Sequence, residues 1–203
     1  HRAGLPPFRT FYLDIQGRTA YQEAIGDLEL EYAAGSSTVY SDIGMMTMAF
    51  IIEDLSGKPL DEFLRERVWE PLGMTDTGFL PAPILLDRIA PTEVDTLFRN
   101  VHVHGVVHDE NAYAMGGVAG HAGLFSTVSD LAILAQTLLG SGSIEGCFEG
   151  NLRAQGSLTS AICSPGPGGS VRLVSEEMLR EFTSRFDSSA SRGLGWDQPD
   201  ERS

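Results

Sequence analysis

The sequence reads as a mixed helix-and-strand (α/β, α+β) fold, mainly helical over these residues. Three observations lead there. Apolar residues recur at helical spacing in separate stretches, the longest running from Ile43 to Leu55. The stretch from Thr75 to Gly123 has prolines at 81, 83 and 91 and no sustained period. A single strand-like run, Gly193-Leu194-Gly195-Trp196, stands near the end, entering a sheet that these residues do not complete.

Taken in order, His1 to Ala34 are mixed, with a turn at Gly4, Pro6 and Pro7 and a short helix expected over 21–30. Gly35-Ser36-Ser37-Thr38 is a loop leading to Tyr40. Beyond Ser41, the residues Ile43, Met46, Phe50 and Leu55 follow helical spacing, with Met45, Met48, Ala49 and Ile52 beside them. A helix apolar over so much of its circumference is expected to be buried. Ser41 or Asp42 is its natural N-cap, leaving Tyr40 on the exposed side of the cap, and Gly57 is its natural stop. A second helix runs from Leu60 to about Glu70 on Leu60, Phe63, Leu64 and Val68, ended by Pro71 and Gly73. A third starts at Thr127, where Thr127-x-x-Asp130 forms a capping box, with Leu131, Leu134, Ala135 and Leu138 as its stripe. A fourth spans 175–184. Met45, Met46, Met48 and Trp69 are assigned to the core, and Glu53 and Asp54 to solvent.

The stretch from 146 to 170 is rich in Gly and Ser and contains Pro165-Gly166-Pro167-Gly168-Gly169. Such composition buries too little to order itself, so it reads as a flexible surface insertion in a single domain spanning 1–203. Residue counts of 42% hydrophobic and 21% charged are ordinary for a globular chain. Basic and acidic residues number 14 and 28, giving 14 − 28 = −14, and the basic ones are scattered. Phosphate recognition needs clustered Lys and Arg, so nucleic acid and anionic membrane are excluded as partners. No apolar run reaches the roughly 20 residues of a membrane helix. The first residue is His1 rather than methionine, so the compartment stays open. Cys147 and Cys163 are consistent with one disulfide or two free thiols, and without a C-x-x-C pair a zinc ribbon is excluded.

Tyr40-Ser41-Asp42 places a phenol, a hydroxyl and a carboxylate where a loop becomes a helix. A phenol with a pKa near 10 acts as a base at neutral pH only beside cations, and none adjoins Tyr40 in sequence. Alone, the triplet is a helix cap. A rival constellation is His102-x-His104, His108-Asp109 and His121. It superficially resembles the His-x-His-x-Asp-His of metallo-β-lactamase-fold hydrolases, but a match needs Asp at 106 and His at 107, and both are Val. The alternative it leaves is a metal-dependent hydrolase using the His102, His104 and His108 cluster.

Four blocks in order together resemble the serine β-lactamase and penicillin-binding-protein superfamily, in its branch of class C β-lactamases, D-alanyl carboxypeptidases and esterases. The first is His1-Arg2-Ala3-Gly4-Leu5-Pro6-Pro7. The second is Tyr40-Ser41-Asp42-Ile43-Gly44, running into Ile51-Ile52-Glu53 and Ser56-Gly57-Lys58-Pro59-Leu60. The third is Val68-Trp69-Glu70-Pro71-Leu72-Gly73-Met74-Thr75-Asp76-Thr77, and the fourth Gly116-Gly117-Val118-Ala119-Gly120-His121-Ala122-Gly123-Leu124-Phe125-Ser126-Thr127.

The resemblance implies a serine β-lactamase/transpeptidase-like fold, and a serine hydrolase that forms an acyl-enzyme with a peptide, amide or ester, with no cofactor or metal. It implies catalytic roles for Tyr40, a proton shuttle beside the family lysine, and for Asp42, which stands at the family's asparagine. It also implies that His121 and Gly123 border the substrate, with 107–112 as a structured loop at the cleft. Ionised Asp only accepts hydrogen bonds where Asn also donates. That weighs against β-lactam turnover and leaves ester or D-amino-acid peptide hydrolysis open. Ser56 and Lys58 are two residues apart, not the three of Ser-x-x-Lys. The match puts the nucleophile before His1 and the Thr-Gly strand after Ser203, so these 203 residues alone are expected to be inactive. Without that upstream serine, the alternative is a catalytically silent binding module.

Overall fold

A computed structural model describes residues 1–144, 170–185 and 196. Two compact units divide the chain, His1–Arg65 with Asp76–Ser126, and Glu66–Thr75 with Thr127–Ser203.

The first unit begins with the 3-10 turn Phe11–Leu13 and α1, Arg18–Gly26, which starts three residues before the sequence pattern suggested. Helix α2, Asp42–Ser56, follows. Ser41 is its N-cap, its Oγ accepting from Gly44 N–H at 2.9 Å, and Gly57 closes it with a left-handed φ of 68°. Only one face is buried, through Ile43, Met46 and Ala49, whereas Met48, Ile51 and Leu55 are exposed. The expectation of burial all round, and of Met48 in the core, is thus corrected: the core cluster, with Tyr21, Ile25, Val107 and Met115, lies against that one face.

Glu53 is also corrected. Its carboxylate is paired with Arg18, whose Nε lies 2.6 Å from Oε2, and its Oε1 accepts the Leu60 N–H at 2.8 Å. Arg18 additionally donates to Val118 O and lies over the Phe50 ring. One side chain therefore ties α2 to α1 and caps α3, Leu60–Leu64.

The aperiodic stretch contains short elements with too few residues to show a period. They are a 3-10 turn over Pro83–Arg88, the antiparallel pair β1 (Val94–Asp95) and β2 (Val101–His102), and α5, Glu110–Ala114. An isolated antiparallel bridge joins Gly78 to Phe125. Asn111, fully buried in α5, accepts from Tyr21 Oη at 2.9 Å and Tyr12 N–H at 3.1 Å and donates to Arg9 O at 2.9 Å. Burial, and then the charge of Asp109, hold the Tyr21 phenol well above its ordinary range, so it serves as a neutral donor.

The helix begun at Leu60 passes through a π-helical turn, Arg65–Trp69, into α4, Glu70–Leu72. Pro71 therefore does not end it. The wider turn accommodates a residue without an N–H, and Gly73 ends the helix instead. Its N–H reaches Glu70 O at 3.1 Å and Met74 N–H reaches Trp69 O at 2.9 Å, the two bonds of a Schellman closure.

In the second unit, α6 (Val128–Leu139) is capped by Thr127, whose side chain accepts from Asp130 N–H. The expected stripe is corrected: Leu131 and Ala135 are exposed, while Asp130 and Thr137 are buried. The Thr137 hydroxyl tolerates this by donating to Ile133 O at 2.8 Å. Strands β3 (Ser143–Ile144) and β4 (Val171–Arg172) pair antiparallel, and α7, Glu176–Thr183, is capped by Ser175. The insertion proposed over 146–170, with both cysteines, and the strand proposed over 193–196 lie outside the described residues, apart from Ser170 and Trp196.

Candidate active site

The start of α2 is built by the first seven residues. Ser41 Oγ donates to Pro6 O at 2.6 Å, the Asp42 N–H to Pro7 O at 2.9 Å and the Val39 N–H to His1 O at 2.8 Å. His1 Nδ1 accepts the Ser41 N–H at 3.1 Å, and its ring lies 4.5 Å from that of Tyr40. Tyr40 is thus held by a ring contact on one side of the cap, with 59% of its surface exposed, as the cap position implied. Two blocks separated by more than thirty residues in sequence meet here.

The glycine-rich block meets the same helix. Gly120 approaches α2 so closely that a Cβ there would sit 2.2 Å from Met45 O. Gly123 has a φ of +105°, and a Cβ there would lie 2.5 Å from Gly117 O. This close packing sets His121 beside the first turn of α2. The His121 side chain is only 2% exposed, and its Nε2 lies 2.8 Å from Asp109 Oδ1.

Asp109 is the N-cap of α5 and also accepts the Ala112 N–H at 2.7 Å. Burial pushes its carboxyl up, but the bonds from His121 and Ala112, with the charge of His121, outweigh that and hold it below the usual carboxylate range. Asp42, half-buried, is shifted the other way. Burial raises its carboxyl, His121 lowers it and Asp109 raises it, leaving it above the ordinary value. Asp42, His121 and Asp109 therefore form one electrostatic group.

The loop that carries Asp109 is braced from behind. Asp95, buried, accepts from the Leu97, Phe98 and Arg99 N–H groups and from Arg99 Nε at 2.7 Å. The bond from Arg99, then those from the backbone, hold the Asp95 carboxyl far below its usual range. Arg99 then donates to Val107 O at 2.8 Å and His108 O at 2.6 Å. A cleft of about 340 Å³ opens beside this loop, lined by Val106, His108, Asp109, Gly123 and Phe125 among others. Gly123 and Val107 to Asp109 thus border a cleft, and Tyr40, Asp42 and His121 are not in its lining.

The histidines do not gather. His104 Nε2 is 3.0 Å from Leu86 O and 2.8 Å from Ile89 O, His108 Nε2 is 3.2 Å from Glu93, and His102 lies in β2. No group of three metal-ligating side chains occurs among the described residues. Sequence reasoning missed Asp109 as the partner of His121 and His1 as the acceptor for Ser41. The Asp109 cap was signalled by an aspartate just ahead of Glu110-Asn111-Ala112; the pairing across twelve residues carried no local signal.

A family model described as beta-lactamase matches residues 1–202. A provisionally named D-alanyl-D-alanine carboxypeptidase of Escherichia coli (strain K12) is 36% identical over 198 residues, covering 91% of this chain and 40% of that protein. The chain thus spans about two-fifths of the length of the curated relatives it matches. Among solved structures, a penicillin-binding protein from Bacillus halodurans superposes with a TM-score of 0.61 at 14% identity, over 98% of this chain and 55% of that one. A D-amino acid amidase from Ochrobactrum anthropi SV3, complexed with L-phenylalanine amide, gives 0.56 at 20% identity, over 96% and 50%. These two likenesses concern the fold, which is of the β-lactamase/transpeptidase type. With the family model matched along nearly its whole length, the chain belongs to the beta-lactamase family.

Proposed function

We propose that the whole protein is a serine hydrolase that works through an acyl-enzyme on a peptide, amide or ester, and that residues 1–203 supply the tyrosine-bearing wall of its site. The carrying observation is the construction around Ser41: a capped helix start that presents Tyr40 on one side and Asp42, grouped with His121 and Asp109, on the other. The name of the Escherichia coli relative, a carboxypeptidase, agrees with this reading.

In the proposed reaction a serine outside these residues attacks the carbonyl carbon. Its proton passes by way of Tyr40 to the leaving group, and water then cleaves the acyl-enzyme. A lysine outside the chain supplies the cation that a working phenolate needs, since Lys58 is the chain's one lysine and sits just past the end of α2. The isolated chain is accordingly inactive. Gly123 borders the bound substrate, whereas the buried His121 side chain acts from within the wall. Asp42, an acceptor when ionised, favours substrates or partners that donate an N–H at that position.

The test is covalent labelling of the full-length protein with a fluorescent penicillin and with a fluorophosphonate. Labelling by either, slowed ~100-fold or more in Tyr40→Phe as expected for loss of a general acid–base group, supports the reading. No labelling by both reagents, under conditions that label a D-alanyl carboxypeptidase, overturns it and favours a silent binding module.

A further inference from the structure

We propose that Asp109 is a positioning residue for Asp42, acting through His121: it grips the buried imidazole by Nε2 and so fixes a chargeable ring at the first turn of α2. This inference rests on the proposed function, because it assigns Asp42 to the reacting site.

Four observations carry it. The His121–Asp109 contact is short, at 2.8 Å, and the imidazole is almost wholly buried, so the pair has one geometry rather than many. The Gly120 backbone is pressed against Met45 O, three residues into α2 from Asp42, which places the adjoining His121 at that helix start. Asp109 itself cannot swing, because its Oδ1 also accepts the Ala112 N–H and the loop before it is held by Arg99 at two successive carbonyls. Finally, His121 Nδ1 is buried and has no hydrogen-bond partner among the described residues.

Buried polar atoms without a partner are rare, and each calls for an explanation. With Nε2–H donating to an ionised Asp109, Nδ1 is left to accept a proton or, once protonated, to donate one. Asp109 thereby holds the ring in one place. Asp42 feels the charges of both His121 and Asp109. Without the ring, the Asp42 carboxylate would be a half-buried anion subject to the charge of a second, Asp109. The His121 imidazole opposes that effect.

The test uses full-length protein and the variant Asp109→Asn. An asparagine oxygen still caps Ala112, so α5 stays intact, while the charge facing His121 is lost together with the stability it contributes near neutral pH. The expected result is acylation by the fluorophosphonate slowed ~10-fold or more at unchanged half-saturation, the pattern of a lost transition-state interaction. The 13Cγ resonance of Asp42 moves as well, while that of Asp27, at the end of α1, does not. Asp109→Ala loses the same rate and, without the Ala112 cap, lowers the thermal midpoint further than Asp109→Asn does.

Wild-type rate and an unmoved Asp42 signal in Asp109→Asn overturn the proposal. Should Asp109→Asn not fold, 15N spectra of histidine-labelled wild type decide: Nε2 protonated supports the grip, and bare Nε2 sinks it. Failure of the hydrolase reading is distinguishable, because there the wild type is not labelled at all, and the Asp42 and histidine signals still report on Asp109.

Discussion

Replacing Gly120 by alanine is the most direct probe of how the site is assembled. The new Cβ would lie 2.2 Å from Met45 O, 2.8 Å from Ala49 Cβ and 3.1 Å from Met45 C. Carbon–oxygen contacts close to about 3.3 Å at best, so the loop must retreat by about 1 Å. The obstacle is main-chain carbonyl within α2, which cannot rotate aside, so the glycine loop moves rather than the helix. Overpacking of this severity costs about 2–3 kcal/mol. His121 moves with its neighbour, and a misplacement of about 1 Å at a reacting centre lowers rates by as much as ~100-fold.

The assay for Gly120→Ala is urea unfolding and fluorophosphonate labelling of the full-length protein, with Gly26→Ala as control. At Gly26 no atom lies within 4 Å of the added Cβ, and φ is not in the left-handed region. The control should gain up to about 1 kcal/mol, as a glycine replaced in a helix does. If Gly120→Ala is as stable as Gly26→Ala and labels at the wild-type rate, the close approach does not position the site.

Other outcomes follow from the same contacts. Glu53→Ala strands the half-buried Arg18 guanidinium and uncaps Leu60, lowering stability by about 2 kcal/mol in urea unfolding. Asn111→Ala removes three buried hydrogen bonds at once and costs about 3 kcal/mol or more by the same measurement. Asp109 has a depressed carboxyl, so its contribution is present above the unfolded value of about 3.9 and is lost as pH falls. Acid unfolding of Asp109→Asn should therefore be shallower below about pH 4 than that of wild type. Asp42 has the opposite sign. Its raised carboxyl favours the folded state when protonated, and that contribution is lost as pH rises through the raised value. Asp42→Asn should accordingly be more stable than wild type at pH 7, with the difference vanishing in acid; equal stability at pH 7 would count against the electrostatic group.

Helix ends were the most legible part of this sequence. Ser41, Gly57, Thr127 and Ser175 all do what their side chains or backbone freedom suggest, because capping is decided within three or four residues. Which face of a helix is buried was less legible. In α2 and α6 the apolar residues outnumber the positions that the described core covers, so periodicity alone selected too wide a stripe in one and the wrong one in the other. The strands of two residues each are too short to show alternation. For the proposed site, Tyr40, Asp42, His121 and Gly123, whose roles are proposals, were picked out through family patterns. Asp109, Arg99 and His1 were not, since each acts through a partner that only the folded chain brings near.

Asn111 also sets a clock. Its partners Tyr12 and Tyr21 precede it by 99 and 90 residues. At the ~5–20 residues per second of protein synthesis, roughly 5–20 s pass between their appearance and its own. Throughout that interval α1 can rest its inner face on Ile43 and Met46 of α2, but the Tyr21 hydroxyl and the Tyr12 amide have no Asn111 to receive them. Closure of the first unit during translation therefore waits on Asn111 and on the core residues made with it, Val107, Ala112, Met115 and Ala119. A ribosome pausing just before the codon for Asn111 would hold the residues around α1 and α2 in an open, unlatched state, where chaperones and proteases have their best access.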